Sequence, residues 1–326
     1  MPLTFPASFY SKKSDIQEHD IVRGDIWFED GNIFVRAEDH VYKLYSGLLC
    51  SQSALFNDLL CPAGPATSVP LPTYLSYSTP SHGQHEDNGR QEEHPLKVPH
   101  TAEAFGVFLR FITGQESSDE SFASLIMLLD LAGYYQSPRA RQRAIKVLDT
   151  HPDLTPTIRM HLARAHKIDG WVEPAFRSIL RGPYLELTPS DFVYMGHNAS
   201  MAVSTTQYGI ALHRIQCALF PPEVHHVFRC HDERKCSSSW TKAWWGELEE
   251  GMQGIAFLLL HDDMRMPGRS ILQHIESLHV PGMHEGCKSL TIGSLKCLSD
   301  EEGLLYEEGL VNKAVTQLEE FQRQLI

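Results

Sequence analysis

Apolar and polar positions alternate in short blocks at the start of the chain. Asp25 to Phe28 is aromatic and β-prone, Ile33-Phe34-Val35 repeats that character, and Val41, Tyr42, Leu44 and Tyr45 form a third stretch. Asp30-Gly31 separates the first two blocks and supplies the positive φ of a tight hairpin turn. Glu38-Asp39 breaks the second from the third. The pattern predicts a hairpin extended into a three-strand meander. Two short helices follow directly, ending near Leu60.

Periodicity then stops. Residues 61 to 95 carry Pro62, Pro65, Pro70, Pro72, Pro80 and Pro95 among many Ser, Gly, Gln and Glu. Such a stretch buries too little apolar surface to offset its ordering entropy. It predicts a disordered insertion over 62–94; a linker between domains has the same composition. A strand is expected at Leu96-Lys97-Val98. Thr101 then caps a helix with Glu103 in its first turn, and Phe105, Phe108, Leu109 and Ile112 at i, i+3, i+4 and i+7 mark its buried face. Gly114 ends it. Ser117 and Glu120 have capping-box spacing before a helix with Phe122, Leu125, Ile126, Leu129 and Ala132. Ser137-Pro138 opens a third, with Ala140, Ala144, Val147 and Leu148 inward.

Helical signals fill the remainder. Thr155-Pro156 and Thr188-Pro189-Ser190-Asp191 are helix starts, Pro174 opens or kinks another helix, and Asn198 is a further candidate cap for a helix running to about Leu219. Pro221-Pro222 stops it. Trp240 and Trp244 share a helix face, as expected for packed core. The last helix, from Glu301 to about Gln324, sets Leu304, Val311, Ala314, Val315, Leu318 and Phe321 along one stripe.

These pieces resemble a BTB (POZ) domain. Phe105-Gly-Val-Phe-Leu-Arg-Phe-Ile-Thr-Gly114 is similar to the BTB helix that ends in Tyr-Thr-Gly. The next two helices resemble the family's Leu-rich helix, Ala-x-Tyr exit and closing Ala-x-x-x-Leu helix. Ser53-Ala-Leu-Phe56 resembles its Ser-x-x-Phe, and Leu59-Leu60 stands where Met-Phe is common. The likeness covers about residues 20 to 149, and the opening Asp-Ile-Trp-Phe with its Asp-Gly turn is similar to a large group of fungal BTB proteins. It implies an α+β fold, a small β-sheet flanked by helices over 21–149, followed by an all-helical domain over 150–326 that is BACK-like or a generic bundle. It also implies protein binding: a homodimer or a recruited protein partner, with Asp25, Tyr45, Ser46, Leu48, Leu49, Ser53, Leu55 and Phe56 at the contact positions. Two departures matter. Tyr45-Ser46 replaces the usual His-Lys or His-Arg, against a transcription-factor role. Cys61-Pro-Ala-Gly-Pro65 stands where cullin-3 adaptors carry a hydrophobic-x-Glu motif, so a cullin-3 ubiquitin-ligase adaptor is the alternative reading.

Composition narrows the partners. A net charge of −13 disfavours nucleic acid, whose binding requires phosphate neutralisation by Lys and Arg. No run of about 18 apolar residues predicts a membrane span. Met1 to Asp20 lacks the apolar core of a secretory signal and reads as a disordered arm, so an intracellular protein, cytoplasmic or nuclear, is expected. The seven Cys, with no regular spacing, are then reduced thiols.

The later half holds the only candidate site chemistry. Cys217, Cys230 and Cys236 lie close in sequence with His225, His226 and His231 among them, and His284, Cys287 and Cys297 follow. A zinc site would need four tetrahedral Cys or His ligands, and Cys230, His231, Cys236 and Cys287 are the candidates. Cys230-x5-Cys236 is wider than the usual ligand pair, so buried thiols with surface histidines are expected, and no cofactor. A zinc-stabilised domain, or an enzyme centred on this region, is the second alternative. Phosphate-loop, nucleophile-elbow and His-Glu-x-x-His motifs are absent, and His261-Asp262-Asp263 reads as a solvated loop, so no catalysis is expected.

Overall fold

The computed structural model describes residues 21–61, 89–115, 120–182, 187–247, 254–261, 266–296 and 303–324. The expected arm over 1–20, most of the insertion, Ser117, Asp262-Asp263 and Cys297 lie outside the described residues. The protein is mixed α/β, with one four-stranded sheet and thirteen helices among the described residues. It divides into two compact units, residues 1–154 and 155–326.

The first unit holds the strands β1 (Val22–Trp27), β2 (Ile33–Ala37), β3 (His40–Leu44) and β4 (Leu96–Val98). Its helices are α1 (Ser46–Gln52), α2 (Ala54–Leu60), α3 (Ala102–Thr113), α4 (Phe122–Tyr134) and α5 (Pro138–Leu148). The sheet order is β1-β3-β2-β4. This corrects the expected first hairpin: β1 does not pair with β2 but lies parallel to β3, and the antiparallel hairpin is β2–β3, closing at Glu38-Asp39. The Asp30-Gly31 turn does form, with Gly31 N–H donating to Phe28 O at 2.9 Å. Phe28 N–H reaches Lys43 O and Asn32 N–H reaches Leu44 O, both at 2.9 Å, so the two sides of the turn are held by β3. A Cβ on Gly31 would stand 2.8 Å from Leu44 O, which is why glycine occupies that crossing.

Ile33, Val35 and Ala37 point inward from β2 in strict alternation. β4 runs parallel beside β2 and closes the other edge. Order resumes before β4: Phe34 N–H donates to Gly89 O at 2.6 Å, so the last residues of the expected insertion, from Gly89, already lie against β2. Thr101 caps α3 and Gly114 ends it at φ 72°. The cap of α4 is Ser121, whose Oγ accepts from Ser124 N–H, rather than Ser117.

The second unit is helical among its described residues: α6 (Pro156–His166), α7 (Val172–Arg181), α8 (Pro189–Leu219), α9 (Glu233–Trp245), α10 (Ile255–His261), α11 (Gly268–Ser277), α12 (Glu285–Ser294) and α13 (Tyr306–Gln324). Thr188 and Asp191 form a reciprocal capping box at the start of α8. α8 breaks at Gly196, with φ 71° and ψ 170°, so the second segment begins just before the Asn198 cap position. A Cβ there would stand 2.3 Å from Arg164 Nη1, so glycine serves both the dihedral and the guanidinium's approach.

Trp240 and Trp244 are fully buried, packed with Ile255, Leu259, Ile271 and Ile292, and Trp244 Nε1–H donates to Ala218 O at 2.9 Å. The aromatic pair is core, as its spacing predicts. α13 starts at Tyr306, later than expected, and buries Val311, Ala314, Val315 and Leu318, while Phe321 is half exposed. It also buries Glu307, whose carboxylate takes two hydrogen bonds from Arg214 of α8, at 2.7 and 3.1 Å, and one from Gly268 N–H at 3.1 Å.

Candidate functional site

The positions implied at a partner interface divide by accessibility. Leu49, Ser53 and Phe56 are buried in the first unit's own core. Phe56 stacks on Tyr135 with ring centroids 4.9 Å apart, and Phe108 stacks on the same ring at 4.8 Å. Ser53 Oγ accepts from Phe56 N–H at 3.1 Å, capping α2, and donates to Tyr135 O at 2.5 Å. His100 Nδ1 lies 2.9 Å from the Tyr135 hydroxyl, and burial pulls its pKa down to about 4.

The accessible members are Asp25, Tyr45, Ser46, Leu48 and Leu55. Asp25 lies 3.3 Å from Arg110 of α3. Tyr45 and Ser46 hold the turn before β2. The Tyr45 hydroxyl donates to Asp30, keeping that carboxyl below its ordinary range, and its ring packs 4.8 Å from Phe28. Asn32 Nδ2–H donates to Ser46 Oγ at 3.0 Å, and Asn32 Oδ1 accepts from Ser46 N–H at 2.8 Å at the start of α1. Leu48 and Leu55 are half-buried, and Leu59 beside them is 50% exposed.

In the second unit the structure gathers His226, Cys230, Cys236 and Cys287, with one donor atom from each lying within 4.8 Å of the others. Three of these were candidates from sequence; His231 is exposed and outside the group, and His226 takes its place. The spacing argument against Cys230 and Cys236 fails for a geometric reason. Cys230 sits in a turn, its N–H donating to Val227 O at 2.9 Å, while Asp232 caps α9 and redirects the chain into the helix that carries Cys236. Five intervening residues then bring the two sulfurs to 3.5 Å. Cys287 arrives from the first turn of α12, capped by His284, whose side chain accepts from Gly286 N–H.

Three of the donors have hydrogen-bonding contacts outside the group. His284 N–H points at Cys236 Sγ at 3.2 Å and Val227 N–H at Cys287 Sγ at 3.4 Å. His226 Nε2 lies 3.3 Å from Ser237 Oγ, while its Nδ1 is buried without a hydrogen-bond partner. The signal for His226 was present in the sequence as the i, i+4 pair with Cys230, but it is legible only once the turn between them is known.

A cleft of about 510 Å³ in the same unit is lined by Arg177, Arg181, Arg269 and Glu308. Glu308 accepts from Arg177 at 2.7 Å and Arg181 at 3.3 Å, so two of its three arginines are committed to an internal ion-pair network. No helix among the described residues is long and apolar enough to cross a membrane. Comparison with protein-family models, curated proteins and solved structures finds no match to this chain. Function is therefore read from the chain's own residues.

Proposed function

We propose that the first unit is a BTB-type protein-interaction module, which self-associates or recruits a protein partner, with the helical unit as its scaffold and no catalysis of its own. The supporting observation is the order of its parts. A β2–β3 hairpin leads into α1 and α2, β4 returns parallel to β2, α3 ends in Phe111-Ile-Thr-Gly114, and α4 and α5 close the unit. The quoted motifs support this reading: Ser53 caps α2, Phe56 anchors the aromatic core, and Leu48, Leu55 and Leu59 remain accessible on α1 and α2. Tyr45 and Ser46 serve the local turn instead of forming a charged pocket.

The experiment is light scattering of the full chain at roughly tens of micromolar. A dimer is expected, and Leu48→Asp should give a monomer of unchanged helical content. A monomeric wild type that also captures no protein partner would sink the reading. Cullin-3 in the same capture experiment decides the adaptor form: measurable binding supports it and none excludes it.

A further inference from the structure

We propose that His226, Cys230, Cys236 and Cys287 form a structural zinc site in the second unit. A tetrahedral zinc with Zn–N near 2.0 Å and Zn–S near 2.3 Å separates two sulfur ligands by about 3.8 Å and a sulfur from a nitrogen by about 3.5 Å. The four donors already lie within 4.8 Å of one another, and the Cys230–Cys236 sulfurs, at 3.5 Å, are within a few tenths of an ångström of that S–S edge. A disulfide would require about 2.0 Å. The pair has the separation of two ligands on one ion.

The surroundings suit thiolates. Cys236 and Cys287 sit in the opening turns of α9 and α12, where the helix dipole favours negative charge. The N–H groups of His284 and Val227 donate to their sulfurs, the outer hydrogen bonding that tunes metal-bound thiolates. With His226 Nε2 beside Ser237, the remaining donor is Nδ1, the buried nitrogen without a partner. A ligating imidazole uses one nitrogen for the metal and the other for such a contact.

Three thiolates and one imidazole complete a four-coordinate shell, so no position remains for water or substrate, and the role is structural. The ion would join three segments: the stretch 221–232 between α8 and α9, α9 itself, and α12. That stretch has no helix or strand through residue 227, and His225 N–H donates to Thr291 Oγ1 at 3.1 Å. A metal clip there replaces the hydrogen bonding that regular structure would supply.

The test is elemental analysis of the full chain purified without chelators. About one zinc per chain is expected, and replacement by Co²⁺ should give the intense visible bands of tetrahedral thiolate coordination. Chelation should lower the Tm by about 10 °C or more, with recovery on adding zinc. Cys287→Ser and His226→Ala should lose the metal, whereas His226→Cys, His231→Ala and Cys61→Ser should keep it. If Cys287→Ser fails to fold, zinc titration of chelated wild type against a chromophoric chelator gives the same answer. Failure of the chelated chain to rebind zinc, zinc retained by folded Cys287→Ser, iron in its place, or a Cys230–Cys236 disulfide found by mass spectrometry would each overturn the proposal. The site lies wholly in the second unit, so its outcome is independent of whether the first unit dimerises.

Discussion

In the first unit Tyr135 is surrounded by Phe56, Phe105 and Phe108, with His100 and Ser53 at its polar ends. In the second, four metal-type donors converge beside an extended stretch of chain, one of them with no hydrogen-bond partner at its buried nitrogen. The aromatic centre is complete in itself: apolar rings interlock and each polar contact closes internally. The cysteine corner instead gathers four donor atoms within 4.8 Å of one another. The first centre is held by interlocking rings, the second by convergent sulfur and nitrogen atoms. The same contrast separates Leu49, Ser53 and Phe56, which serve the first unit's own core, from Cys230, Cys236 and Cys287, which converge with His226 in the second.

The comparison can be broken most forcefully at the aromatic centre. Phe56→Ala should cost about 3 to 5 kcal/mol by opening a cavity against Tyr135, measured by denaturant unfolding. Metal content should not change. A loss of metal in that variant would show that the two centres do not act independently.

Within the second unit the buried Arg214–Glu307 pair offers a control of similar size. Arg214→Ala should cost about 3 to 5 kcal/mol because Glu307 is left buried and uncompensated. The double replacement Arg214→Met with Glu307→Leu should recover most of that loss. If the double variant is as unstable as the single one, the pair holds α8 to α13 by something other than charge compensation.

The next effect is pH. The folded pKa of His100, about 4, lies below its ordinary value, so the folded state favours the neutral ring. Its contribution is whole above about pH 6.5 and is lost as pH falls from there toward 4, at most about 3 kcal/mol. His100→Gln should flatten that part of the stability profile. A profile unchanged by His100→Gln would place the acid sensitivity elsewhere. Smaller still, Ser53→Ala should cost about 1 to 2 kcal/mol through the lost cap and the unsatisfied Tyr135 carbonyl. His231→Ala, on an exposed side chain beside the metal-type donors, should change stability by less than about 0.5 kcal/mol, and a larger loss would restore it as a ligand.

Much of the fold was legible because local patterns carry their own physics. The caps at Thr101, Thr155 and Thr188, the Pro138 start of α5, the stop at Gly114 and the i, i+3, i+4 face of α3 are decided within a few residues. The strand positions were legible too, but not their partners. An Asp-Gly turn predicts reversal, and only the hydrogen bonds of Phe28 and Asn32 to β3 decide that β1 crosses to the far side of the hairpin. His226 was missed for the same kind of reason, since the turn at Cys230 and the cap at Asp232 together decide which histidine faces the sulfurs.

By itself the sequence determined most of the helices up to about Leu219, the strand segments, the apolar faces and an acidic, Cys- and His-containing helical half, all set by side-chain period and backbone preference over short spans. Only the tertiary structure decided the strand order, the commitment of Leu49, Ser53 and Phe56 to the core, and the meeting of Cys287 with residues some fifty to sixty positions earlier. Those outcomes depend on which distant segments pack together, and no local spacing encodes the distance between two sulfurs carried on different helices.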